Sequence, residues 1–347
     1  MGITDLIKGI NNDFISYGNK ELYSDITSFI DTGSYSLNAL LSGSIYGGIP
    51  AGKITAIAGE SSTGKSFLTL GIVKNFLDSN DNAYCIYFES EGALTTEIIK
   101  ERGIDTNRCV IIPVATVNEF RNAAFKILEN YEKTEPKNPL LFVLDSAGML
   151  STEHEIETVS ANKTTKDMSR ASDIKAAFRV LSLKLSVLNI SLIVTNHVYQ
   201  SMSLFPTLEL AGGSGLKYSA NSIIMLSKSK EKTSDGVLIG ASIKCKLAKS
   251  RICKEELIIK TLINHKSGLD KYYGLLDIAI AAGVWSKIST KIQIDENTKV
   301  FASAIQKNPE KYYTQEVLDK IDQYTQNSFK YGTGAMASLD TTDDELE

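Results

Sequence analysis

The sequence predicts an α/β fold, a mixed, mainly parallel sheet flanked by helices, with a helical segment before it and a small α/β unit after it. Three observations predict this. Short apolar runs alternate with amphipathic helical stretches between about residues 53 and 195, the pattern of a parallel sheet covered on both faces. A glycine-rich run ending in Gly-Lys-Ser sits where one such strand passes into a helix. After about residue 220, strand-like segments follow one another without long helices between them, so the sheet is expected to continue antiparallel.

A helix comes first, with Leu6, Ile7, Ile10 and Phe14 at helical spacing. Lys53–Ala58 reads as a strand and Ser66–Leu77 as a helix, followed by the strand Ala83–Phe88 and the helix Glu119–Tyr131. Leu140–Leu144 is apolar throughout, a buried strand. Asp167–Leu188 is a long helix with Met168, Ala171, Ile174, Phe178, Leu181, Leu185 and Leu188 on one face, and Ser191–Thr195 is the next strand. Ser222–Leu226, Ile243–Leu247 and Leu257–Leu262 supply the antiparallel continuation. The expected organisation is a helical segment over 1–30, a core over 31–275, a small domain over 276–331 and a disordered acidic tail over 332–347, where Gly, Ser, Thr and acids dominate.

Composition narrows the function classes. The chain has 347 residues, 43% hydrophobic and 22% charged, which excludes disorder for most of its length. Its longest apolar runs, such as Leu140–Leu144 and Ile278–Trp285, fall far short of the ~20 residues of a membrane span. The start, Met-Gly-Ile-Thr-Asp-Leu, lacks the basic-then-apolar pattern of a signal peptide, and Leu6 stands where a myristoylation signal wants Ser or Thr. Cys85, Cys109, Cys245 and Cys253 form no C-x-x-C pair and sit in apolar surroundings, so buried thiols in a reducing cytoplasm are expected, and a zinc site is not. Net charge is -4, but five acids fall within the last eight residues, Asp340–Glu347, and the body before them stands at +1.

The chemistry concentrates at the end of the first core strand. Gly59, Glu60, Ser61, Ser62, Thr63, Gly64, Lys65 and Ser66 match G-x-x-x-x-G-K-[ST]. The glycines let backbone N–H groups wrap phosphates, and the helix that follows adds the positive end of its dipole. Lys65 is expected to reach the β- and γ-phosphates of a nucleotide and Ser66 to ligate Mg²⁺. Asp145, at the end of the strand Leu140–Leu144, is the carboxylate that would hold the ion from the opposite side. Glu89 and Glu91 end the strand Ala83–Phe88 at the edge where parallel sheets bind ligands, and either could orient an attacking water. Asn196–His197 follows Ser191–Thr195 at the same edge, where a polar side chain could sense the γ-phosphate. Two basic runs, 163–184 with Lys163, Lys166, Arg170 and Lys175, and 244–266 with Lys249 and Arg251, suit either nucleic-acid phosphates or a solvated face. The long loop Tyr199–Ala211, bounded by Gly212-Gly213-Ser214-Gly215, is the kind that orders on a ligand.

Taken in order, these segments resemble the RecA family of strand-exchange recombinases, and within it the tailed-phage recombinases of the UvsX type. The similarity runs from about Phe29 to about Tyr324 and is carried by Phe29–Leu37, Gly47–Ile54, the phosphate loop, Tyr87–Leu94, Leu144–Ser146, Asp167–Arg170 into Lys175–Arg179, Asn196–His197, Gly212–Tyr218 and Lys249–Arg251. The resemblance implies a RecA-like P-loop ATPase whose N-terminal segment serves polymerisation. It implies ATP on Gly59 through Phe67 and near Ile98, where members usually carry an aromatic residue, with Mg²⁺ on Ser66 and Asp145. It makes Glu91 the general base and His197 the γ-phosphate switch. Lys249 and Arg251 would act on a neighbouring subunit's ATP, and the loops 155–166 and 199–211, with Lys163, Lys166, Arg170, Lys175, Tyr199, Gly212 and Gly213, would face DNA. The implied partners are single-stranded DNA, homologous duplex and further copies of the chain in a helical filament, with a single-strand-binding protein and a loader beside them. The implied location is the cytoplasm, that of the host for a phage protein. Two alternatives stand beside this reading. A hexameric helicase would be expected to carry a separate N-terminal domain ahead of the core. A paralogue or mediator acting structurally on filaments would be expected to have lost Lys65, Ser66, Glu91 or Asp145, all of which are present.

Overall fold

In a computed structural model describing residues 3–10, 15–20, 22–160, 169–200, 208–232, 238–264 and 267–332, the apolar runs pair into one twisted sheet. The chain begins with helix α1 (Ile3–Leu6), strand β1 (Phe29–Ile30), helix α2 (Tyr35–Ser42) and strand β2 (Ile49–Pro50), the two strands pairing antiparallel. The alternating part follows: β3 (Ile54–Gly59), α3 (Lys65–Asp78), β4 (Tyr84–Glu89), α4 (Thr96–Glu101), β5 (Cys109–Pro113), α5 (Val117–Glu132), β6 (Leu140–Asp145), α6 (Glu153–Ser160), α7 (Arg170–Val187) and β7 (Ser191–Gln200). Next come β8 (Leu208–Leu210), α8 (Gly215–Ser219), β9 (Ser222–Lys232), β10 (Leu238–Ser250), β11 (Ile258–Asn264) and β12 (Gly268–Leu269). The described chain ends with α9 (Leu275–Ala281), the strands β13 (Ser286–Ile288), β14 (Lys291–Gln293) and β15 (Lys299–Phe301), and the helices α10 (Ala302–Lys307), α11 (Pro309–Tyr312) and α12 (Gln315–Phe329).

The main sheet runs β12-β11-β10-β9-β3-β7-β6-β4-β5. From β9 to β5 neighbouring strands are parallel, and β10, β11 and β12 extend the sheet antiparallel, as expected. Successive residues of a strand point to opposite faces, and the core divides accordingly. Ile57, Cys85, Tyr87, Leu141, Val143 and Ile193 pack on one side with Leu68, Ile72 and Phe76 of α3. Phe88, Phe142, Leu144 and Val194 pack on the other with Phe120 of α5 and Phe178 of α7. Thr116 and Glu119 form a reciprocal cap that starts α5. Ser44 Oγ and the Ile45 N–H both donate to Asp322, at 2.6 and 2.8 Å, which ties α12 to the core through the end of α2. All four cysteines are buried free thiols, and among the described residues no helix is long and apolar enough to cross a membrane.

Several segments differ from the sequence expectation, among them β9 and β10, whose mutual pairing carries them well beyond the expected Ser222–Leu226 and Ile243–Leu247. The helix on Leu6, Ile7, Ile10 and Phe14 reduces to Ile3–Leu6: Gly9 takes φ +87°, Ile3, Leu6 and Ile10 stay exposed within the chain, and Phe14 lies outside the described residues. Cys109–Pro113 forms an additional parallel edge strand beside β4. Ser191–Thr195 continues to Gln200 because Asn196 and His197 still pair with β3 and β8 then returns antiparallel alongside, pairing Val198 with Leu210 and Gln200 with Leu208. The middle of the expected Tyr199–Ala211 loop, Lys163 and Lys166, and the tail from residue 333 lie outside the described residues.

Candidate active site

The ends of β3, β4, β6 and β7 lie side by side, and pleating turns Asp145, Thr195 and His197 toward the face covered by α3. Gly59 is the last residue of β3 and pairs in register with His197. A Cβ at Gly59 would come within 2.9 Å of the Thr63 hydroxyl and the Leu226 carbonyl, so only glycine lets the loop close here. Lys65 opens α3 and is buried, its ammonium donating to the carbonyls of Gly59 at 3.0 Å and Glu60 at 2.9 Å. Burial lowers its pKa, opposed by the charges of Glu91 and Asp145.

His197 links this lysine to Glu91. Its Nε2 lies 3.0 Å from Glu91 Oε1 and its Nδ1 lies 3.4 Å from Lys65 Nζ. An ionised carboxylate only accepts and an ammonium only donates. His197 therefore carries its proton on Nε2 and offers Nδ1 as the acceptor. Glu91 also accepts from Ser146 Oγ at 2.7 Å. Burial raises the Glu91 pKa, but the hydrogen bonds from Ser146 and His197 outweigh it and hold the carboxyl below its ordinary value. Glu89 has a different role. Both its oxygens accept backbone N–H groups, from Glu91 at 3.1 Å, Gly92 at 2.9 Å and Ala93 at 3.0 Å, so it shapes the turn that presents Glu91.

Asp145 is buried and accepts from Tyr87 Oη at 2.6 Å and from Thr195 Oγ1. Ser66, the second residue of α3, and Asp145, the last of β6, offer hard oxygen donors of the kind that suits Mg²⁺. Ser61 and Ser62 form the exposed crest of the loop and Thr63 its buried underside. Phe67 is exposed on α3, with the Arg102 guanidinium 4.3 Å from its ring centre. These two residues line a cavity of about 310 Å³ together with Gly71 and Gly268. Ile98 is half-buried against the core on α4 and is not part of that lining.

Lys249 and Arg251 do not join this cluster. Lys249 pairs with Ile223, which is level with Ala56 near the start of β3. At about 3.3 Å per residue, that is on the order of 10 Å back along the strand from the phosphate loop, and two strands away. Its ammonium caps the carbonyls of Lys217 and Ala220 at 2.5 and 2.8 Å, while Arg251 reaches the carbonyl of Tyr218 at 3.4 Å. Burial, then the neighbouring Arg251, lowers the Lys249 pKa. The rest of the basic run is dispersed, Lys246 pairing with Glu256 at 2.5 Å and Lys254 with the Ser328 carbonyl at 2.8 Å.

The other candidate DNA contacts surround the β7–β8 hairpin. Tyr199 is exposed and donates to Glu209 at 3.1 Å. Gly212 and Gly213 adopt φ near +80° against Ile174 and Ala171 of α7, where a side chain has neither room nor favourable backbone. Arg170 donates to the Gly148 carbonyl, and Lys175 lies 5.6 Å from the Tyr218 ring centre. Tyr87 and Thr195 are site residues that sequence reading missed. Their only signal was a hydroxyl within an otherwise apolar strand.

The sequence profile of the RecA N-terminal domain matches residues 6–270. The chain is similar to the recombination and repair protein of Enterobacteria phage T4, 30% identical over 247 residues, which cover 71% of this chain and 62% of the phage protein. It therefore spans less than two thirds of that relative's length. It is also similar to protein RecA of Campylobacter lari, 27% identical over 327 residues covering 91% of this chain and 88% of the relative. With protein RecA of Cereibacter sphaeroides it shares 26% identity over 258 residues, 74% and 71% of the two chains.

Proposed function

The chain belongs to the RecA family, and from that premise we propose that it is an ATP-dependent recombinase that polymerises on single-stranded DNA and pairs it with homologous duplex. The observation that carries the ATPase reading is the continuous set of contacts from Lys65 through His197 to Glu91, beside the buried Asp145. A filament paralogue acting without turnover has no use for an ionised acceptor held at this place.

The roles follow from the contacts. The phosphate loop N–H groups and Lys65 bind the β- and γ-phosphates, and Lys65 exchanges its carbonyl partners for phosphate oxygens as it does so. Ser66 and Asp145 hold Mg²⁺, which neutralises charge on those oxygens when bound. Glu91, held ionised by Ser146 and His197, takes the proton of the attacking water. When Lys65 turns to the γ-phosphate, the Nδ1 acceptor of His197 loses its donor. His197 lies on β7, three residues before that strand ends at Gln200, so its reorientation couples nucleotide state to the segment proposed to face DNA. We propose Tyr199, Arg170, Lys175, Gly212 and Gly213 for that surface, with Lys163 and Lys166. Lys249 and Arg251, remote from their own chain's phosphate loop, complete the site of the next subunit in the filament.

ATP hydrolysis measured with and without single-stranded DNA, alongside electron microscopy of the same mixtures, tests the proposal. The expected result is filaments on DNA and a rate that rises severalfold with it. A rate indifferent to DNA, with no filaments, would remove the recombinase reading.

A further inference from the structure

Tyr87 and Thr195 belong to no motif, yet both commit their hydroxyls to Asp145. Tyr87 Oη donates to Oδ2 at 2.6 Å, and Thr195 Oγ1 donates to Oδ1. Both donors are completely buried, and Asp145 is 7% exposed. The three side chains come from the adjacent strands β4, β6 and β7 and lie on the face covered by α3. A buried hydroxyl must find an acceptor, because leaving it without one is unfavourable. Phenylalanine and valine would fill the same spaces without that requirement, so the hydroxyls themselves need an account.

The account lies in how they divide the carboxylate. Its two oxygens offer about four acceptor positions. One donor on each oxygen stops the group from rotating about its Cβ–Cγ bond and leaves a further acceptor position on each oxygen. We propose that Tyr87 and Thr195 are positioning residues that lock Asp145 in the orientation that receives Mg²⁺ with ATP. They act through Asp145 and do not touch the nucleotide. The proposal rests on the assignment of Asp145 as a metal-holding residue made above.

The test is equilibrium binding of a fluorescent ATP analogue to the full chain, titrated with Mg²⁺ and repeated in EDTA, with thermal unfolding recorded for each protein. Asp145→Asn should abolish the Mg²⁺-dependent part of binding. Tyr87→Phe and Thr195→Val should each raise the Mg²⁺ concentration at half-saturation about 10-fold, the effect typical of losing a group that orients a metal ligand. Binding in EDTA should be unchanged. Thr195→Ser, which keeps the hydroxyl, should restore the wild-type titration. Should Thr195→Val fail to fold, Tyr87→Phe and Thr195→Ser still decide the matter. A wild-type half-saturation in Tyr87→Phe overturns the proposal, whatever its unfolding temperature, because the hydroxyl would then serve only to satisfy a buried carboxylate. If Asp145→Asn itself leaves the Mg²⁺ dependence unchanged, the metal assignment falls and the proposal with it. The two failures give different titrations.

Discussion

Glu91→Gln removes a proton acceptor while keeping a side chain of equal length, whose amide oxygen can still accept from Ser146 Oγ, 2.7 Å away in the native protein. The turn that carries residue 91 is held by Glu89 and stays in place. What disappears is the charge and the basic lone pair. Loss of a general base costs about 10²–10⁴-fold in rate, or about 2.7–5.4 kcal/mol at 1.36 kcal/mol per decade. Glu89→Gln is the matched control. It replaces one oxygen that accepts backbone N–H groups by an NH₂ that cannot, at a cost of about 1–3 kcal/mol in stability. Steady-state phosphate release at saturating ATP and single-stranded DNA, with thermal unfolding of both variants, separates the two carboxylates. Glu91→Gln should turn over about 10²-fold more slowly or worse, with its unfolding temperature and nucleotide affinity little changed. Glu89→Gln should unfold earlier while keeping its turnover in the cold. The opposite pattern, turnover lost in a stable Glu89→Gln and kept in Glu91→Gln, would refute the assignment of the base.

Arg251→Ala mixed with Lys65→Ala should recover part of the ATPase activity that each lacks alone, because one subunit supplies the phosphate loop and the other the basic pair; strict additivity of two inactive proteins would count against action across subunits. Since the Glu91 pKa lies below its ordinary value of 4.5, the acid limb of the turnover profile should lie below that value, and Ser146→Ala should move it upward; an unmoved limb would mean that Ser146 does not tune the base. The matching stability follows the same sign. The contribution of Glu91's hydrogen bonds is present above its unfolded value and is lost as pH falls through the lower folded one, which thermal unfolding of native protein and Ser146→Ala across that range would show. Deleting residues 336–347 removes five acids, and duplex binding should tighten at low salt with the gain shrinking as salt rises; equal affinities at low salt would leave the tail without a role in DNA competition.

The parts of this site that could be read in the sequence are those whose signal is local. The phosphate loop is a contiguous run between a strand and a helix, and Asp145 ends a strand apolar enough to be placed without its neighbours. The strands Ile54–Gly59, Tyr84–Glu89, Leu140–Asp145 and Ile258–Asn264 lie within two residues of their expected limits for the same reason, whereas β9 and β10 run well beyond Ser222–Leu226 and Ile243–Leu247. Other features depend on pairing between distant segments. β7 extends past Thr195 because β3 pairs with Asn196 and His197 and β8 with Val198–Gln200, and no periodicity in those residues announces a strand. The choice between Glu89 and Glu91 turns on three backbone N–H groups that fold back onto one of them. Tyr87 and Thr195 are separated from Asp145 by 58 and 50 residues, and meet it only through the order of the strands. The N-terminal helix shows the converse, an apolar repeat whose Leu6 and Ile10 stay exposed within the chain and whose described residues hold no helix beyond Leu6.

Joint-molecule formation between circular single-stranded DNA and linear duplex, in the presence of ATP and Mg²⁺, tests the recombinase reading most directly. With the native protein and homologous duplex, joint molecules should accumulate with time, and they should be absent with heterologous duplex and with Lys65→Ala. DNA-stimulated ATP hydrolysis without joint molecules, or joint molecules formed equally well by Lys65→Ala, would contradict it.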